Sequence, residues 1–259
     1  SNTLGSYNIF LGSGAGYANT GGMNGEGSYN IFTGYQSGAT NSTGSYNCFY
    51  GYHSGFSNTT GDGNCFMGFE SGKFNTTGFR NIFLGYQSGL SNTIGNLNTF
   101  VGYSAGQANT IGDFNTFIGY ETGYFNTSGS SNLFLGSYAG YANTTGSDNT
   151  FLGPEAGMYN TTRQNNLFVG SYCGRENTTG SNNLFMGHNT GRENTSGGSN
   201  IYIGFYSGYH NTNGYYNVFT GQSSGAANTT GSQNTFYGYS TGNASTSGEG
   251  NTYVGYSSG

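Results

Sequence analysis

The sequence predicts an all-β chain, a parallel β-solenoid (β-roll) of about fifteen 17-residue coils. Three observations carry this expectation. First, an Asn opens each of fifteen similar segments, at Asn8, Asn30, Asn47, Asn64, Asn81, Asn98, Asn115, Asn132, Asn149, Asn166, Asn183, Asn200, Asn217, Asn234 and Asn251, and from Asn30 onward every step is seventeen. A fixed period means one small unit stacked on copies of itself, and this one is too short for helical repeats of about 33 residues or more. Second, the unit reads N-x-[FY]-x-G-x-x-x-G-x-x-N-T-x-G-x-x, a vocabulary of strand and turn formers. Third, 20 Phe and 24 Tyr in a chain with only 15 charged residues are too many aromatics for a solvated coil, so they require a core.

With the Asn as position one, the first strand falls near positions one to five. Side chains alternate across a strand, so positions one, three and five share a face. Position three is Phe or Tyr in all fifteen copies and belongs inside. Gly at positions five and nine, and at fifteen except for Arg163, marks corners where a positive φ or a close approach excludes a Cβ. A second strand is expected near positions ten to fourteen. There the Asn of position twelve should chain side-chain amides from coil to coil, as the Phe of position three should stack ring on ring. Coils about 4.8 Å apart would make a rod of roughly 70 Å.

Residues 1–259 read as a single repeat array with one irregularity. Asn8 and Asn30 are twenty-two apart, and the surplus in "GGMNGEG", 21–27, is expected to leave a corner as a loop. Both ends fall within a coil, which is the expectation for a fragment of a longer protein.

A net charge of −5 with no basic run argues against nucleic acid as a partner. No stretch approaches the roughly 18 to 20 apolar residues of a membrane-spanning helix, so no membrane insertion is expected. His53, His188 and His210 occupy three different columns, and Glu70, Glu121 and Glu155 share column seven on coils that are not adjacent. Neither set suggests a catalytic or metal-binding cluster, so no enzyme activity, metal or cofactor is expected. Cys48 and Cys65 share column two on adjacent coils, where either two small hydrophobes or a disulfide would fit. Nine of ten N-x-[ST] triplets lie in column twelve and read as a by-product of the Asn ladder.

Three surface columns suggest function. Positions two and four should face outward, yet they hold Ile82, Leu84, Leu133, Leu135, Leu167, Val169, Ile201 and Ile203. A strand apolar on both faces is usually covered on both, so these residues are the candidate oligomer interface. Column six carries Tyr35, Tyr52, Phe69, Tyr86, Tyr103 and Tyr120 on successive coils. In an exposed turn these rings could contact sugar or protein, or simply stack on one another.

The stretch "NTFVGYSAGQANTIGDFNTFIGY" resembles the repeat β-roll segments of tail-fibre-like bacterial surface adhesins, and is similar to the heads of trimeric autotransporter adhesins. The resemblance rests on repeat style over the whole chain. The adhesin heads have shorter units with small aliphatics where this chain has Phe. It implies an extracellular or cell-surface filament of parallel β-rolls associated side by side, a homo-oligomer that presents an adhesive rod. The functional expectation is an extracellular structural or adhesive fibre segment that self-associates through columns two and four, with a cell-surface glycan or protein as a possible further partner. The alternative is a ligand-binding solenoid, glycan-binding through the Tyr file or ice-binding through the Thr of column thirteen.

Overall fold

The computed structural model describes residues 4–22 and 24–259. It is a parallel β-solenoid whose coils each contribute one three-residue strand at positions two to four. Two compact units divide the chain, residues 1–130 and 131–259. The first carries β1 (Ile9–Leu11), β2 (Ile31–Thr33), β3 (Cys48–Tyr50), β4 (Cys65–Met67), β5 (Ile82–Leu84), β6 (Thr99–Val101) and β7 (Thr116–Ile118). The second carries β8 (Leu133–Leu135), β9 (Thr150–Leu152), β10 (Leu167–Val169), β11 (Leu184–Met186), β12 (Ile201–Ile203), β13 (Val218–Thr220), β14 (Thr235–Tyr237) and β15 (Thr252–Val254). Within each unit successive strands pair in parallel and in register, so Ile82 lies beside Thr99, Phe83 beside Phe100 and Leu84 beside Val101.

The expected second strand is absent among the described residues, where positions six to eleven are turns. Yet the coils remain bonded there, because Gly89 N–H donates to the Ala105 carbonyl at 3.0 Å, Ser91 to Gln107 at 3.0 Å and Thr93 to Thr110 at 2.9 Å. Hydrogen bonding between coils meets the backbone's need for partners without strand dihedrals. What bends the segment is backbone sign: in every coil after the first, where Gly14 stands, a non-glycine residue at position seven, such as Gln87 with φ 49°, takes the left-handed region. Position seventeen does the same, as at Leu97 with φ 56°.

Glycine is required at position five because the strand ends there with φ near +137°, and a Cβ on Gly102 would lie 2.2 Å from the Gly119 carbonyl oxygen. At position nine the reason is the ring of position three: a Cβ on Gly89 would fall 2.5 Å from the Phe83 ring. The core is therefore built from one Phe per coil lying against a glycine. Phe32, Phe49, Phe66, Phe83, Phe100 and Phe117 are fully buried in the first unit and stack at 4.8 to 4.9 Å. Phe134, Phe151, Phe168, Phe185, Tyr202, Phe219 and Phe236 continue the pattern in the second.

Two Asn columns flank these rings. At position twelve the expected amide chain forms, with Asn92 Nδ2 donating to Asn75 Oδ1 at 2.7 Å and to its own coil's Gly95 carbonyl at 3.0 Å. At position one the ladder is different. Asn98 donates its backbone N–H to Asn81 Oδ1 at 2.9 Å and its Nδ2 to the Gly112 carbonyl at 2.7 Å, so side chain alternates with backbone. Position eight, placed by sequence in an exposed turn, is a third interior column of Ser, Ala, Thr and Cys. Ser88 Oγ there donates to the Phe100 carbonyl at 3.0 Å. Cys173 occupies the same column, donates to the Phe185 carbonyl, and has its thiol pKa pushed up by burial.

In the 21–27 segment Asn24, Gly25 and Glu26 are exposed, and Gly22 N–H donates to the Glu26 carbonyl at 3.3 Å. Met23 lies outside the described residues.

Candidate interaction surface

The alternation of a strand that puts position three inside must put positions two and four outside. Ile82, Leu133, Leu135, Leu167, Ile201 and Ile203 are exposed, and Leu84 and Val169 are half-buried. Each lies beside the same column on neighbouring coils, as Leu167 does beside Thr150 and Leu184. Ile9, Ile31, Met67, Ile118, Met186 and Val218 extend the two columns with further exposed apolar side chains. The result in each unit is an apolar face that repeats at the spacing of the coils.

Cys48 and Cys65 sit in this face. They are directly paired across β3 and β4, and both are free thiols. Burial, reinforced by the neighbouring Cys48, pushes the Cys65 pKa up, which keeps it a neutral thiol.

Column six is a continuous exposed file from Tyr35 to Tyr120. Tyr35, Tyr52, Phe69, Tyr86, Tyr103 and Tyr120 are 41% to 48% exposed and stack at 5.0 to 5.4 Å. Each interior member thus has both ring faces against neighbours and leaves only its edge exposed, with a hydroxyl on every ring but Phe69. His53 of column seven packs beside the file, 4.0 Å from the Tyr52 centroid.

The titratable groups pair locally. Lys73 Nζ donates to Glu70 Oε1 at 2.6 Å and Gln87 Nε2 to Glu70 Oε2 at 2.9 Å. Arg175 bridges Glu155, at 2.6 Å, and Glu176. His210 Nδ1 meets Glu193 at 2.8 Å. Among the described residues no three His, Cys, Asp or Glu side chains are placed to hold a metal ion. No helix among them is long and apolar enough to cross a membrane.

The Thr hydroxyls of column thirteen are committed to the stack, as Thr93 Oγ1 donates to the Thr110 carbonyl at 3.0 Å. The column-twelve sequon Asn residues, such as Asn58, Asn75 and Asn126, are fully buried with their amides in the ladder, whereas Asn243 outside that column is exposed.

Sequence reasoning missed the aromatics of the opposite corner. Tyr7, Tyr29 and Tyr46 of column seventeen stack at 5.0 and 5.1 Å, and Phe79, Leu97 and Phe114 are exposed on later coils. The signal was present in the Tyr of "GSYN", which opens three of the first coils.

Comparison with known proteins finds no matching family model, no matching curated protein and no matching solved structure.

Proposed function

We propose that this chain is a segment of an extracellular structural and adhesive fibre, of the kind its repeats resemble in tail-fibre-like bacterial surface adhesins, and that it associates side by side with copies of itself. The observation that carries the reading is the outward apolar face that columns two and four make in each unit, with Ile82 and Leu84 in the first and Leu133, Leu135, Leu167, Val169, Ile201 and Ile203 in the second. Soluble monomers rarely leave so extended an apolar surface in water. The occupant best suited to it is a second copy of the chain. A surface that repeats with every coil is matched along its length only by a partner with the same repeat, and equivalent coils can then meet around a common axis. Burying both faces would continue each core into the next and stiffen the fibre, the property an attachment rod needs.

The test is a triple substitution, Leu135→Glu, Val169→Glu and Ile203→Glu, followed by light scattering on a sizing column. Lower mass than the unsubstituted chain, with the β signal of circular dichroism retained, is the expected result. An unchanged mass would remove the interface from these columns.

A second reading, a ligand-binding solenoid, is favoured by the exposure of the Tyr35 to Tyr120 file. Its rings offer edges and hydroxyls to a glycan or protein. Substituting Tyr86 and Tyr103 by Ala would abolish such binding and leave self-association intact.

A further inference from the structure

A sugar ring packs its C–H face on the face of an aromatic ring, and in an unbroken stack every interior face is already taken. Faces become available only where a file is interrupted. At one such break polar groups stand around the open face. The Tyr7, Tyr29 and Tyr46 file of column seventeen stops at Gly63, which has no side chain to cover the next face of Tyr46. The following coil supplies Arg80 in the same column and Phe79 beside it. The gap is a notch of about 580 Å³ lined by Tyr46, Thr60, Asp62, Gly63, Phe79 and Arg80, with Thr77 at its side.

We propose that this notch is a binding site for one neutral pyranose unit of a glycan. Tyr46 and Arg80 are two coils apart in the column, roughly 9.6 Å at the strand spacing, which leaves room for one ring stacked on the open face of Tyr46 and flanked by the Arg80 side chain. The rim of the notch supplies both kinds of polar partner. Asp62 Oδ1 accepts from Ser45 N–H at 2.6 Å, which fixes the carboxylate, and its second oxygen has no partner among the described residues. Arg80 lies over the Phe79 ring at 5.9 Å and forms no ion pair among those residues, so its guanidinium donors remain available. The Thr60 and Thr77 side chains are exposed there too. An anionic sugar would meet Asp62 and a cationic one Arg80, whereas the hydroxyls of a neutral ring can donate to the first and accept from the second. An apolar or purely aromatic ligand would leave both charges desolvated without partners. The notch lies on columns fourteen to seventeen, and its ligand does not depend on association through columns two and four.

The test exploits the repeat. Gly63 has φ +66°, close to the 59° of Tyr46, and a Cβ there meets only Arg80 Cγ, at 3.5 Å. Gly63→Tyr would therefore fill the gap with the ring the file lacks while keeping the coil. Saturation-transfer NMR on the whole chain with cellotetraose, maltotetraose and chitotetraose, each at about 1 mM, the range of weak binding, is the readout. At least one tetrasaccharide should bind, Gly63→Tyr should abolish its signal, and Asp62→Asn, which keeps the acceptor for Ser45, should weaken binding about tenfold. Absence of binding by all three probes, or binding by both variants equal to the original chain, overturns the site. Sedimentation of Gly63→Tyr at the original mass separates this outcome from any failure of self-association.

Discussion

Columns three and six are both files of aromatic rings on successive coils, and in residues 1–130 their geometry is nearly the same. Rings stack at 4.8 to 4.9 Å in the first and 5.0 to 5.4 Å in the second. Column three is fully buried from Phe32 to Phe236 and stays Phe or Tyr to the end of the chain. Column six is exposed, and in residues 131–259 it passes through Ser137, Pro154, Ser171, His188, Phe205 and Gln222 before returning to the stacked pair Tyr239 and Tyr256. The spacing of a stack is thus imposed by the coil, whereas what makes a ring indispensable is the water it displaces. Ring–ring attraction beyond burial contributes only about 0.5 to 1.5 kcal/mol, small beside the burial of a whole Phe.

The largest expected effect separates the two columns directly. Phe83→Ala should cost about 3 to 5 kcal/mol, because the ring is fully enclosed between Phe66 and Phe100 and rests on Gly89, so a cavity remains. Tyr86→Ala, three residues on and stacked just as regularly, should cost less than about 1.5 kcal/mol. Urea denaturation of the two variants measures both, and equal losses would break the distinction.

Next in size is the polar counterpart of the Phe column. Asn92→Ala removes the donor to Asn75 and Gly95 and the acceptor for Asn109 at 2.8 Å, leaving buried groups without partners. A loss of about 1 to 3 kcal/mol is expected in the same assay.

Tyr202→Phe should move stability the other way. Tyr202 is enclosed between Phe185 and Phe219, and burial pushes its pKa far above the ordinary range. Its hydroxyl ends beside the Asn211 and Asn217 amides without forming a satisfactory hydrogen bond. Both bonds of Asn211 Nδ2 are stretched to 3.3 Å, against 2.7 and 3.0 Å at Asn92. Removing the hydroxyl should raise stability by about 1 kcal/mol and shorten those bonds.

The smallest effect is one of pH, and it belongs to the exterior. Burial, aided by Lys73 and opposed by Glu70, holds the His53 pKa below 6.5. The folded state therefore disfavours the proton, and its stability is complete above pH 6.5 and declines as pH falls below it. Burial would raise the Glu70 pKa, but the hydrogen bonds from Lys73 and Gln87 outweigh it and lower the pKa from 4.5. Its contribution is present above that value and lost as pH falls through the folded one. The melting temperature should drop slightly from pH 7 to pH 4, and the double substitution His53→Gln and Glu70→Gln should flatten the slope.

Much of this architecture is legible in single columns of letters. The coil length, the Phe inside, the glycines and the column-twelve amide ladder follow from period and alternation. The second strand does not form, since the chain turns through positions six to eleven, and the sequence hides this because the left-handed residues at positions seven and seventeen mostly carry ordinary side chains such as Gln87, Leu97 and Phe114. A few Asn, Asp and Gly residues in column seventeen, among them Asp148, Asn165 and Gly63, are a weak sign of that backbone, and the Tyr and Arg residues beside them hide it. Column eight was readable, since Ser, Ala, Thr and Cys are its only occupants, and its place between two glycines disguised it as a surface turn. The notch at Gly63 is invisible to pattern reading because it consists of a missing ring.

Columns two and four, apolar on most coils with Thr at places such as Thr99 and Thr116, have no partner within the coil, and in the fibre proposed above a second copy supplies it. Sedimentation equilibrium of the unsubstituted chain across a concentration series tests this most directly. A mass at a whole-number multiple of 27.2 kDa that persists on dilution is the predicted result. A stable, folded species of 27.2 kDa at the highest concentration would contradict it.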